Sequence, residues 1–238
     1  PAVAACEVHR SECLQGNTLL PVILLFVCHH TDTVLGHVSS GCIFTGEKRD
    51  HSGFTEADAP NFSFRQDNCS FYSGSKALGE ELLHGADRVY IWRLRIPFNH
   101  VDGPRNYLSK VMRYDRLLDA RNSLSHLDEF ASACVDCWQQ LTNPGSVTTC
   151  EVTELIQEHL GPERQFNFFA SESQFMAEAA VAPRSNCVLD STKALAAGLR
   201  LRPIRDAIVD SLNHWQTESN AELPTPPTKS IRRTATVS

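Results

Sequence analysis

No stretch of this sequence stays apolar for long. The longest apolar run, Leu19–Val27, has nine residues including Pro21. A bilayer-spanning helix needs about 20, so no membrane segment is expected. A basic leader is also missing, because Glu7 and Glu12 stand where a signal peptide would carry positive charge. There is no basic excess: 22 Lys and Arg against 28 Asp and Glu give a net charge of -6. That charge speaks against a dedicated nucleic-acid binder. Position 1 is Pro rather than Met, as expected of a processed product or a piece of a longer chain. No internal repeat is visible.

A second close cysteine pair is lacking too. The nine cysteines are Cys6, Cys13, Cys28, Cys42, Cys69, Cys134, Cys137, Cys150 and Cys187. An odd number in a long chain does not describe a secreted disulfide framework. Cys134 and Cys137 form the one C-x-x-C, and Cys150 and Cys187 do not complete a zinc set. His29 and His30 are adjacent and point apart in any regular element. No metal is expected, and the thiols read as reduced cysteines of a cytoplasmic protein, with Cys134 and Cys137 as helix filler.

What remains is ordinary globular material: 238 residues, 42% apolar, with 12 Gly and 12 Pro. This is one large domain or two small ones. Residues 7–30 read as a helix and then a loop. Leu14, Thr18, Leu19, Val22, Ile23 and Phe26 fall near helical spacing, and Pro21 is expected to kink the helix. Residues 34–44 read as a short buried strand, and 45–68 as a loop. FYSGSKALGEELL from Phe71 reads as a helix with Ala77, Leu78, Leu82 and Leu83 on its apolar face. VYIWRLRI (89–96) alternates like a strand and stops at Pro97.

Strand, loop, helix, strand over 34–96 is one crossover unit of a parallel sheet. Helices follow at 105–118, 127–141, 147–160, 171–180, 191–197 and 205–215, with a short strand at 166–169. Thr148 or Thr149 is placed to cap the third of these helices and Gly161 to end it. Residues 218–238 have the composition of a disordered tail.

The chemistry-bearing pattern is Tyr72-Ser-Gly-Ser-Lys76 at the start of a helix. Residues four apart share a helical face. A lysine charge there favours the phenolate and is expected to pull Tyr72 below the usual value of about 10. Tyr72 then becomes a proton donor or acceptor, and Ser39 or Ser40 at a strand end can bind the same substrate oxygen.

The ordered run SSGCIF, GFTEADAPNF, SFYSGSKALGEELL, IWRLRIPF, RNYLSKVMRY and APRSNCVLDSTKALAAGLRLRPIRDAI resembles the extended short-chain dehydrogenase/reductase superfamily. Within it the chain resembles the dTDP-4-dehydrorhamnose reductases and the nucleotide-rhamnose synthases, which combine 3,5-epimerase and 4-reductase activities. The resemblance covers about residues 1–216. It implies an α/β fold: an incomplete NAD(P)-binding Rossmann domain, the C-terminal half of its parallel sheet, at 1–97. A smaller, mostly helical α/β substrate domain follows at 98–217, and the tail at 218–238.

The same resemblance assigns roles. Ser40 would polarise the substrate carbonyl, Tyr72 would protonate the C4 oxygen, and Lys76 would bind the nicotinamide ribose, with Tyr72 and Pro97 also at the cofactor. Cys42 would be the epimerase base and Lys110 its acid partner. A ketone at C4 acidifies the protons at C3 and C5, and a thiol near a cation can remove one. Arg105, Asn106 and Asn122 would face the substrate, with Arg121, Ser125, Arg184 and Asn186 nearby. A capping or surface role fits these equally well. The implied cofactor is NADP(H) or NAD(H), and the implied partner a nucleotide sugar, with a homodimer left open.

Two departures follow. The family's opening strand and its G-x-x-G-x-x-G turn, which holds the dinucleotide pyrophosphate, have no counterpart here. Trp138-Gln-Gln-Leu-Thr-Asn-Pro-Gly runs from helix to turn without the family's intervening strand. The expectation is therefore a 4-keto-6-deoxy nucleotide-sugar reductase, with 3,5-epimerase activity, impaired in this chain. The alternatives are a non-catalytic reductase-like regulatory protein, as the beta subunit of methionine adenosyltransferase is, or another nucleotide-sugar epimerase.

Overall fold

The computed structural model describes residues 3–48, 50–136 and 142–217. The expected N-terminal helix is present in four pieces: α1 (Val3–Val8), α2 (Arg10–Leu14), a π turn (Gln15–Leu19) and α3 (Leu20–His30). Pro21 does not interrupt it. In an α-helix its missing N–H would leave the Asn17 carbonyl without a donor and its ring would clash there. The π turn instead bonds the Leu20 N–H to the Gln15 carbonyl, and Pro21 falls in the first turn of α3, where proline is tolerated.

The π turn also moves the buried face. One inserted residue rotates everything beyond it by about 100°. Cys6, Cys13, Asn17, Thr18 and Pro21 are buried. Leu19, Ile23 and Phe26 are 51%, 58% and 65% exposed, which corrects the face expected from uninterrupted spacing. Arg10–His30, 21 residues of mean hydropathy 1.4, is long and apolar enough by length and composition to cross a membrane. Counting only unbroken apolar residues missed this. Its polar face is nevertheless bound into the protein, since Thr18 Oγ1 donates to the Ser75 carbonyl at 2.8 Å.

The crossover unit forms as expected. β1 (Leu35–Ser40) lies parallel to its neighbour β2 (Val89–Leu94), with Leu35 opposite Val89 and Ser40 opposite Leu94. Between them runs α4 (Phe71–Leu83), whose Ser70 cap accepts from the Ser73 N–H. The buried face of α4 is made of Ser73, Gly74, Ser75, Ala77, Gly79, Glu80 and Leu83. Leu82, expected inside, is half exposed.

Small residues win that face because α4 lies hard against the π turn. A Cβ at Gly79 would collide with the Asn17 carbonyl oxygen. Gly79→Ala is therefore expected to destabilise the chain by about 1–3 kcal/mol, the usual cost of overpacking, and a urea melt would measure it. An unchanged midpoint would show that the two helices slide apart freely.

The second half is built on short pairings. β3 (Pro97–Phe98) precedes α5 (Tyr107–Arg113), β4 (Arg121–Asn122), β5 (Ser125–His126) and α6 (Leu127–Asp136). β6 (Val147–Thr148) leads into α7 (Thr149–Leu160), followed by α8 (Glu172–Glu178), α9 (Thr192–Ala196) and α10 (Ile204–Asn213). β3 runs parallel to β5, and β4 antiparallel to β6. Thr148 and Glu151 close a capping box on α7.

The helix expected at 105–118 is shorter, because Asn106 caps it and it ends by Tyr114. The strand expected at 166–169 is a single bridge, Leu117 to Phe168. Residues 137–141 and 218–238 lie outside the described residues. So do Cys137, the 138–141 junction and the tail.

One core joins Phe98, Leu108, Leu124, Val152, Ile156 and Ile208 from the second half. A second links Ile43, Phe44, Phe54 and Ala77 to Cys187 and Leu189. The chain beyond 182 thus returns to the first half, where Gly46 bridges to Cys187 and Phe54 to Leu189.

Candidate active site

The carboxyl end of β1 places Ser40 beside the first turn of α4. The Ser40 side chain lies close enough to the Tyr72 phenol to favour its ionised form, and its hydroxyl accepts from the Cys42 N–H at 3.2 Å. A 3-10 turn over Gly41–Ile43 carries Cys42 past the strand end. So the structure brings Ser40, Tyr72 and Cys42 together. It does not bear out a lowered Tyr72. Burial, then the Cys42 thiol, pushes the Tyr72 phenol up to about 12, with Ser40 opposing. The Lys76 ammonium is turned to the Val38 carbonyl at 3.5 Å, and burial holds Lys76 below its ordinary value. In this structure Tyr72 is an acid that keeps its proton.

His37 lies on the same strand. Burial, then Lys76, holds its ring down to about 4, against Glu80, and its Nε2 has no hydrogen-bond partner. The unfolded ring titrates near 6.5. Between those two values the unfolded chain takes up the proton first, so stability falls as pH drops from about 6.5 towards 4. Urea melts at pH 7 and pH 4.5 are expected to show that loss, and His37→Gln to remove part of it. An identical loss in the variant would assign the effect elsewhere.

Behind Cys42 stands Arg95, a residue that sequence reasoning passed over. It is 1% exposed. Its Nη1 donates to Cys42 Sγ at 3.1 Å, and its Nη2 to the Ser185 carbonyl at 2.6 Å and to Asn122 Oδ1. Asn122 is buried and also accepts from the Cys187 N–H at 3.0 Å. It reaches Cys42 only through Arg95. The available signal was the alternation in VYIWRLRI: Arg93 and Arg95 share one face of a strand, and charge on a buried face must be paired. Arg93 pairs with Glu80 at 2.7 Å.

Asn17 was also missed, since the helix over 7–30 was read from its apolar spacing alone. Buried in the π turn, it donates to the Ser75 hydroxyl at 3.0 Å and to Cys13 Sγ at 3.2 Å. It thereby braces the turn of α4 between Tyr72 and Lys76. A π turn at such a place is a common mark of functional sites.

The other expected residues are more scattered. Lys110, in the last turn of α5, is held below its ordinary value by burial, then by Arg184 and Arg105. Three cations therefore share that side, with Arg105 and Arg184 exposed. Asn106 is occupied as a cap: it accepts from the Leu108 N–H, and donates to the Asn99 and Val101 carbonyls. Pro97 opens β3 opposite Ser125. Among the described residues no three His, Cys, Asp or Glu side chains converge as a metal site.

A parallel strand pair whose carboxyl end meets a Tyr-x-x-x-Lys helix defines a short-chain dehydrogenase/reductase type of α/β fold. Comparison with known proteins narrows the class. The chain is 33% identical over 221 residues to the bifunctional dTDP-4-dehydrorhamnose 3,5-epimerase/dTDP-4-dehydrorhamnose reductase of Arabidopsis thaliana, across 88% of this chain and 71% of that protein. It is 32% identical over 221 residues to a trifunctional UDP-glucose 4,6-dehydratase/UDP-4-keto-6-deoxy-D-glucose 3,5-epimerase/UDP-4-keto-L-rhamnose-reductase of the same plant, and spans 32% of its length.

The crystal structure of the L780 UDP-rhamnose synthase of Acanthamoeba polyphaga mimivirus matches with a TM-score of 0.76 at 29% identity, over 83% of this chain and 70% of that one. A dTDP-4-dehydrorhamnose reductase of Clostridium acetobutylicum, at 18% identity, covers 89% of this chain and 76% of its own with a TM-score of 0.72, and shares the fold. No family model matches. The chain belongs to the dTDP-4-dehydrorhamnose reductase and rhamnose synthase family.

Proposed function

We propose that the chain carries the chemical centre of an NAD(P)H-dependent reductase of a 4-keto-6-deoxy nucleotide sugar, with 3,5-epimerase activity at the same site. The observation that carries this reading is the contact of Ser40 with both Tyr72 and Cys42. One hydroxyl serves two chemistries about a single C4 ketone. The Ser40 hydroxyl and the Tyr72 phenol both address the C4 oxygen, and Tyr72 delivers a proton to it as the carbonyl is reduced. A bound reduced nicotinamide would supply the hydride.

The residues present fit the nicotinamide end of that cofactor. Lys76 keeps donors for ribose hydroxyls, since its contact with the Val38 carbonyl is long at 3.5 Å. For the epimerase step, Cys42 removes a proton from the carbon beside the ketone, and Lys110 returns one from the other face.

The 97/98 boundary between nucleotide and substrate domains, cytoplasmic location and the Arg105 contact belong to the same proposal, whereas Asn122 serves it through Arg95. An assay of NADPH oxidation with UDP- or dTDP-4-keto-6-deoxyglucose tests it. Turnover that saturates in both substrates supports the reading. A folded chain that neither binds nor oxidises NADPH would move it to a reductase-like binding protein.

A further inference from the structure

We propose that Arg95 is the positioning residue for Cys42: its guanidinium holds the sulfur in place and favours negative charge on it when it acts as the epimerase base. The inference rests on the proposed role of Cys42 and adds the group that makes the role feasible.

A buried guanidinium is costly unless an anion or a full set of acceptors meets it. Arg95 is fully enclosed; burial opposes its charge, while Cys187 and then Cys42, which alone of the two is hydrogen-bonded to it, favour it. Its guanidinium hydrogen bonds run to Cys42 Sγ, Asn122 Oδ1 and the Ser185 carbonyl. None of these is a carboxylate, and its Nε has no partner. The buried cation is therefore without a fixed counter-ion among its hydrogen-bond partners, and Cys42 is the one partner that can become an anion.

Geometry fixes the pairing. The Arg95 N–H donates to Ser125 Oγ at 3.1 Å, which ties the residue to β5. Asn122 holds the guanidinium from the far side. Gly41 lets the 3-10 turn lie on the arginine stem, since a Cβ there would press at 3.2 Å on Arg95 Cδ. Cys42 is only half-buried, so its sulfur can meet both Arg95 and a substrate.

The other titratable groups around the sulfur are Tyr72, Lys76 and Cys187. Tyr72 and Cys187 resist a negative charge on Cys42. Lys76 favours one but is engaged at Val38. Cys187 is buried and its thiol donates to the Gly41 carbonyl at 3.3 Å, so it does not compete for the role of base.

The Cys42 thiolate takes the proton at C3 or C5 and becomes a thiol. The C–H electron pair moves into the enolate, whose negative charge rests on the C4 oxygen. A proton returned to the opposite face completes inversion, and the thiol gives its own proton back to solvent. Arg95 never touches the sugar.

The test is alkylation of Cys42 by iodoacetamide in the full chain, read by peptide mass spectrometry from pH 6 to pH 10. Arg95→Met and Arg95→Lys are compared with wild type, and circular dichroism checks the fold. Buried Cys6, Cys13 and Cys187 serve as unreactive references. The Met variant is expected to move half-maximal labelling upward by about one pH unit or more and to slow labelling at pH 7 about tenfold. The Lys variant is expected to restore part of the loss.

A folded Met variant with a wild-type profile overturns the proposal. If that variant does not fold, the wild-type profile decides. Half-maximal labelling at or above the ordinary thiol value of about 8.5 overturns the proposal, and a lower one upholds it. Deuterium exchange at C3 and C5 of the sugar separates the underlying reading. Exchange that survives Cys42→Ala removes the base role and the proposal with it. Exchange that is lost in Cys42→Ala while labelling ignores Arg95 removes the proposal alone.

Discussion

Tyr72→Phe is expected to lower the rate of C4 reduction about 10²–10⁴-fold while leaving the affinity for NADPH little changed. That range is what removal of a positioned general acid costs. It corresponds to about 3–5 kcal/mol of transition-state stabilisation. The phenol loses its proton only near 12, because burial, then Cys42, disfavours the phenolate. The acid is therefore in place across the whole neutral range. The pH profile of reduction in the wild type should show no fall assignable to Tyr72 below about pH 10.

The ring itself survives in Phe, and so do the cap of α4 and the packing of Ser75 against Asn17. A loss of rate is therefore a loss of the hydroxyl and not of the fold. Stopped-flow NADPH oxidation at saturating sugar nucleotide measures the effect. A variant within threefold of wild type would assign the proton to another group, and the reading of Ser40 and Tyr72 as one unit would fall.

The local pattern carried most of the α/β framework. VYIWRLRI alternates because Tyr90, Trp92 and Leu94 pack on Phe130, Ala133 and Leu201 on one face of the sheet, while Arg93 meets Glu80 of α4 on the other. Thr148, Glu151 and Gly161 mark both ends of α7 because unsatisfied helix ends need such residues. What stayed hidden depended on long-range contacts. The π turn at Gln15–Leu19 follows from Pro21 together with the close approach of Gly79 on another helix, and no periodicity reports that. Leu82 looked like a core residue by spacing, yet small residues dominate the buried face of α4 because two helices nearly touch there.

The site was legible to the same degree. Ser40, Tyr72, Lys76 and Cys42 stand within short, recognisable motifs. Arg95 sits 53 residues from Cys42 in sequence, and only the parallel pairing of β1 with β2 brings the two together. The expected lowering of Tyr72 failed for a physical reason. Spacing places a lysine on the same helical face, but its ammonium faces a strand carbonyl, and desolvation of the phenol then dominates.

Cys42→Ala is expected to separate the two chemistries. Solvent deuterium should cease to enter C3 and C5 of the 4-keto sugar, by a factor of about 10²–10⁴ if the thiolate is the base. Reduction of a sugar supplied with its C3 and C5 centres already inverted should continue at close to the wild-type rate. The separation follows from the contacts. Cys42 touches Ser40 through its backbone N–H, at 3.2 Å, and that bond is kept in Ala. Its sulfur faces Arg95, which takes no part in reaching the C4 oxygen.

Removing the sulfur leaves the Arg95 cation with one acceptor fewer in a buried place, so a stability cost of about 1–3 kcal/mol accompanies the change. Cys42→Ser should recover part of that stability without recovering exchange, since a hydroxyl accepts from the guanidinium but does not ionise near neutral pH. The pair of variants therefore distinguishes a sulfur needed for packing from one needed as a base. Exchange at wild-type rates in either variant would leave Cys42 a structural neighbour of Arg95 and nothing more.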